Sequence, residues 1–106
     1  MTKTQQETIE KRVDRGAKWL DKQKPEWHRK IVFKNLDMSD PDTCIIGQLF
    51  GKFSDAPMSE IQEVSLGFNI SDAIADLLWD ARQEHWDALE ETWKDKIRAI
   101  RKKARA

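Results

Sequence analysis

The sequence predicts a small all-α domain, and three observations carry that prediction. Apolar residues recur three and four apart along most of the chain, the spacing of one helix face. Helix breakers are few: 106 residues hold three Pro and four Gly, and none of these falls between Asp72 and Ala106. The one strand-like stretch, Val32-Phe33-Lys34-Asn35-Leu36, has no second strand to pair with and reads as an extended connector. The length suits a single helical domain over residues 1–106, frayed at 1–3 and 104–106. Its expected form is a helical bundle in which a long C-terminal helix (about 72–103) packs on a central buried helix (about 41–51).

In chain order, Thr4-Gln5-Gln6-Glu7 is a capping box, and Ile9, Val13, Ala17 and Leu20 behind it form one helical stripe. Pro25 disfavours helical backbone at Lys24 and suits the first turn of a short helix to Ile31. Asp40 and Pro41 are an N-cap and first-turn pair for the central helix, where Ile45, Ile46, Leu49 and Phe50 cover most of the circumference. Gly47 implies a close neighbour, and Gly51 ends the helix. Ser59 caps a short helix with Ile61 and Val64, which Gly67 closes in the left-handed region so that Phe68 folds back. Ser71 caps the last helix, with Asp72 and Asp76 at the positive end of its dipole. Trp79, Trp86, Trp93 and Ile100 stand seven apart; Leu89 and Ile97 complete a 3-4-4-3 stripe, offset from Ile74, Leu77, Leu78 and Ala81. Unbroken, this helix is about 48 Å long. A compact domain of this size is about 35 Å across. The helix is therefore expected to run on with a projecting basic end, the other solution being a break between Arg82 and His85.

Five Trp and four Phe supply core volume that a hydrophobic fraction of 39% otherwise lacks. Net charge is zero, but residues 1–35, 36–71, 72–95 and 96–106 carry about +5, −5, −6 and +6. Such blocks either face each other within the fold or make a bipolar surface that steers a charged partner. One cysteine allows no internal disulfide and suits a reducing compartment. No apolar run approaches the roughly 18 residues of a membrane span, and the first residues contain no signal-peptide core, so the expected location is cytoplasmic, without membrane association.

Chemistry has few candidates. Cys44, near a helix start, is a nucleophile if a base such as His28 or His85 reaches it, and otherwise a small buried hydrophobe. No oxyanion loop accompanies it. Asp37, Asp40 and Asp42 lack the later Gly and Glu of a calcium loop, and two His with one Cys are too few for structural zinc. No P-loop or dinucleotide fingerprint is present, and no cofactor is expected. The helix after Pro57 is too acidic to enter a DNA groove. Lys94, Arg98, Arg101 and Arg105, with Lys102 beside them, form a basic stripe next to Trp93 and Ile97 that suits an acidic protein surface or phosphates. Trp79 and Trp86, where the core does not take them, suit a partner or a homodimer through the C-terminal helix.

Asp37-Met38-Ser39, followed by Cys44-Ile45-Ile46-Gly47-Gln48-Leu49-Phe50-Gly51, resembles the motif D-M-S-x4-C-[VI]-[LI]-G-Q-[LI]-[YF]-G of a family of small actinobacterial and actinobacteriophage proteins. The resemblance extends to Gly16-Ala17-Lys18-Trp19-Leu20-Asp21, to Leu66-Gly67-Phe68, and to Leu89 through Ile97. It departs at Glu26, where the family pattern reads P-G-W, and at Glu90. It implies a phage or bacterial origin and a shared core that takes in Asp37, Cys44, Gly47, Gln48 and Gly51, and no reaction; Asp40 and Pro41 join this structural motif as cap and first turn. The expected function is a small interaction module in the cytoplasm of a bacterial host, plausible as a phage product that modulates a host or phage protein by surface binding. The alternative is a nucleic-acid-associated regulator acting through the basic helix, and the third reading is an enzyme using Cys44.

Overall fold

The first helix, α1 (Ile9–Gln23), opens on Thr8, whose Oγ1 accepts the Lys11 N–H at 3.2 Å. This is a computed structural model; it describes residues 8–53, 56–70 and 78–105, and of Arg105 only the backbone. The Thr4–Glu7 capping box lies outside those residues, as do Ser71, Asp72, Ile74, Asp76 and Leu77. Val13, Ala17 and Leu20 of α1 are buried, as their spacing requires.

After a turn at Pro25 and Glu26 comes α2 (Trp27–Lys30), shorter than the expected Pro25–Ile31, because Glu26 sits at φ 65°, outside helical geometry. A 3₁₀ turn (Phe33–Asn35) replaces the extended connector. The central helix, α3 (Ile45–Phe50), also starts later than the expected Pro41, with Cys44 and not Asp40 as its N-cap. The Asp40 side chain explains the shift: Oδ1 accepts the N–H groups of Asp42 (2.8 Å) and Thr43 (3.3 Å), closing a local turn that competes with helix. The neighbour that excludes a side chain at Gly47 is that turn, since a Cβ there would collide with the Pro41 carbonyl oxygen and stand 2.6 Å from the Asp42 carbonyl carbon.

The fourth helix, α4 (Glu60–Ser65), has a complete capping box between Ser59 and Gln62. It ends in a Schellman motif: Gly67 at φ 79° donates to the Val64 carbonyl, and Phe68 donates to that of Glu63. This folds Phe68 back into the core, whereas Ile61 stays 82% exposed.

The last helix, α5 (Trp79–Arg105), is unbroken through Arg82–His85. At 1.5 Å per residue it measures about 40 Å, and the molecule's longest extent is 40 Å. The helix therefore spans the long axis instead of projecting far past a smaller body. Its principal partner is α1, with α2 alongside its second half, and not the central helix. Leu89, Trp93 and Ile97 are buried, with Trp86 and Ile100 partly covered at either end. Rings join the elements in sequence: Trp27 meets Trp93 edge-on at 5.9 Å, Trp93 stacks on Phe68 at 5.2 Å, and Trp19 touches both Phe68 and Phe50 at 6.0 Å. Among the described residues there is no strand.

Candidate functional site

The motif around Cys44 is spent on the backbone. Asp37 Oδ1 accepts the N–H and hydroxyl of Ser39 at 3.0 and 2.7 Å. Gln48 spans two segments: Oε1 accepts the Val32 N–H at 2.6 Å and Nε2 donates to the Thr43 carbonyl at 2.9 Å. Gly51, at φ 94°, closes α3 through its N–H to Gly47. Cys44 Sγ accepts the Gly47 N–H at 3.2 Å, and the thiol faces the Pro41 carbonyl at 3.9 Å. The side chain is 1% exposed. Burial pushes the thiol above its ordinary value, against the lowering effect of the Gly47 N–H. Neither His28 nor His85 is among its hydrogen-bond partners in the described residues. A buried, protonated thiol that caps a helix is a poor nucleophile.

The seven-residue Trp series does not behave as one face. Trp93 is fully buried, Trp86 half-buried, and Trp79 is 67% exposed with the Arg82 guanidinium 5.3 Å from its ring centre. Leu78 is 85% exposed. The physical reason lies in the partners of α5: α1 and α2 cover its middle and second half and leave its start open.

The basic stripe is also divided. Arg101 turns inward, its Nε and Nη2 donating to the His28 carbonyl at 3.1 and 2.7 Å and Nη2 also to that of Ile31 at 2.8 Å. A guanidinium thereby satisfies carbonyls left open at the end of α2. Lys94 pairs with Glu90 at 3.3 Å and Arg98 with Asp95 at 2.9 Å. All three cations surround one ring, Phe33, at 6.0, 4.9 and 5.8 Å for Lys94, Arg98 and Arg101. Lys102 and Lys103 are exposed, and the Arg105 side chain lies outside the described residues.

Arg29, Lys30 and Lys34 flank the basic end of α5, where Arg101 ties down α2. The acidic 37–42 turn meets α5 near its middle, where the Met38 N–H donates to Glu90 Oε1 at 3.0 Å. Among the described residues, ion pairs join groups within four positions of each other, apart from Lys96 with Asp14 at 2.6 Å. The cations of α2 and of the last turns of α5 therefore meet where Arg101 ties down α2.

At the basic end a recess of about 340 Å³ is lined by His28, Arg29, Arg101 and Ala104. His28 Nδ1 is buried and has no hydrogen-bond partner among the described residues. Glu26 lies at the rim, its Oε2 3.3 Å from Arg29 Nε and 3.6 Å from His28 Nε2. Periodicity did not single out Glu26, Arg29 or Phe33, because nothing local pairs residues 26–34 with the far end of α5. The one available signal was Glu26 at a position where the resembling pattern has Gly.

Among the described residues no cluster of His, Cys, Asp and Glu could hold a metal ion, and no helix is long and apolar enough to cross a membrane. No family model, curated protein or solved structure matches the chain.

Proposed function

We propose that this protein is a small interaction module whose basic end, formed by α2, the 3₁₀ turn and the last turns of α5, docks on an acidic surface of a protein partner. The observation that carries this reading is the gathering of Arg29 and Arg101 around one recess, with Arg98, Lys102 and Lys103 exposed on the last turns of α5. Exposed cations gathered at one end steer an acidic partner and fix its orientation. The resemblance to actinobacterial and actinobacteriophage proteins supports a phage-encoded module that modulates a host or phage protein.

Affinity purification from an actinobacterial lysate, with and without nuclease, tests the proposal. A nuclease-resistant protein is expected to be retained at low salt and lost in an Arg98→Glu, Lys102→Glu double variant, whose altered side chains are exposed. Retention by the double variant at wild-type level would remove the basic end from the reading. The second reading, a nucleic-acid-associated regulator, draws on the same exposed Arg98, Lys102 and Lys103. It requires nuclease-sensitive capture.

A further inference from the structure

Three oddities meet at the basic recess. Glu26 is the described non-glycine residue with positive φ, at 65°. Left-handed backbone is unfavourable for a residue with a Cβ and persists only where its surroundings hold it. The carboxylate of this strained residue reaches Arg29 and His28, at 3.3 and 3.6 Å. His28 is nine-tenths buried, at 9% exposure, yet its Nδ1 has no partner among the described residues. The Arg101 guanidinium is locked by the carbonyls of His28 and Ile31 through Nε and Nη2, which leaves Nη1 without a described partner beside the recess.

We propose that this recess is a carboxylate-binding site for an acidic side chain of the protein partner, and that Glu26 is an internal stand-in which the partner displaces. The inference rests on the interaction-module reading and adds the site and its regulation. Guanidinium and imidazole N–H groups are the donors that recognise a carboxylate, and here a structural role already fixes one guanidinium in place. The Glu26 and Arg29 side chains are 61% and 66% exposed, so their mutual ion pair is screened and easily exchanged. A partner that covers the recess removes water from the same donors and strengthens its own contact with them. While Glu26 holds Arg29 Nε and His28 Nε2, those two groups are closed to the partner, and apparent affinity falls by the fraction of molecules so occupied.

Calorimetric titration of octaglutamate into the full chain tests this, using wild type, Glu26→Gln, Arg29→Gln and the Arg98→Glu, Lys102→Glu double variant. Glu26→Gln keeps the side-chain shape and removes the competing charge, so it is expected to bind about threefold to fivefold tighter, the scale of one exposed ion pair. Arg29→Gln is expected to bind more weakly than wild type. Binding by Glu26→Gln no tighter than wild type, with binding still lost in the double variant, overturns the stand-in and leaves the interaction reading intact. Absence of binding by both wild type and Glu26→Gln overturns both readings. A Glu26→Gln gain seen with an oligothymidylate of equal length, and not with octaglutamate, overturns the carboxylate assignment in favour of phosphate.

Discussion

The Trp93 ring occupies the space that a side chain at position 16 would need. A Cβ on Gly16 would stand 2.9 Å from Cη2 and Cζ2 of that ring, and against the Leu66 carbonyl oxygen. The ring cannot retreat easily, because its Nε1 donates to the Gly67 carbonyl at 2.6 Å and its face stacks on Phe68 at an interplanar angle of 10°. Glycine at mid-helix costs α1 about 1 kcal/mol against alanine, and this contact offsets it.

Gly16→Ala is therefore expected to destabilise the fold by about 2 kcal/mol, since overpacking outweighs the gain in helix propensity. Urea unfolding followed by Trp fluorescence measures it. A variant as stable as wild type would show that α1 and α5 can separate without cost.

Glu26→Gly should stabilise the protein by about 0.5–1 kcal/mol. Glycine relieves the left-handed backbone, and the exposed pair with Arg29 contributes little. Glu26→Ala loses the same pair without relieving the backbone and should show no gain. Equal stabilities for the two variants would contradict the strained geometry at φ 65°.

Arg101 and Lys102 are adjacent cations with opposite roles. Arg101→Gln leaves the His28 and Ile31 carbonyls without their charged donor and should cost about 1.5–3 kcal/mol. The side chain at 102 is exposed, so Lys102→Gln should stay within about 0.5 kcal/mol of wild type. Thermal unfolding of the pair distinguishes a structural arginine from a surface lysine.

Cys44→Ala removes the acceptor for the Gly47 N–H and should cost about 1–2 kcal/mol, whereas Cys44→Ser retains an acceptor and should lose less. In the native chain the thiol should resist iodoacetamide until the fold opens.

The same thiol makes stability depend on alkaline pH. Its folded value lies above the ordinary 9.0, so the folded state holds the proton more tightly than the unfolded chain. The stability it contributes is complete below about pH 9.0 and is lost as pH rises from there through the folded value. Denaturant midpoints at pH 8 and pH 10 should fall more steeply in wild type than in Cys44→Ser.

Much of the architecture was legible in the chain because it depends on neighbours three or four residues apart. The Val13, Ala17 and Leu20 stripe, the cap at Ser59, the left-handed Gly67 and the Leu89, Trp93 and Ile97 face all follow from helical periodicity and capping chemistry. The start of α3 was misplaced because Asp40 and Pro41 are equally suited to a turn, and the Asp40 carboxylate closes that turn. Trp79, Trp86 and Trp93 are indistinguishable by spacing, yet their exposure depends on where α1 and α2 stop covering α5. The candidate recess was not legible, since it joins His28 and Arg29 to Arg101 across some seventy residues of chain.

By itself the sequence determined an all-α chain, its principal helical stripes, several of its caps and the four blocks of charge. Only the tertiary structure decided that α2 meets the far end of α5 and that Arg101 is structural while Lys102 is exposed. It also turned Glu26 toward Arg29 and His28. The physical reason is one of range: helix formation and capping act over a turn or two of backbone. Charge placement follows from the docking of apolar faces, with Gly16 admitting Trp93 and Arg101 closing the end of α2.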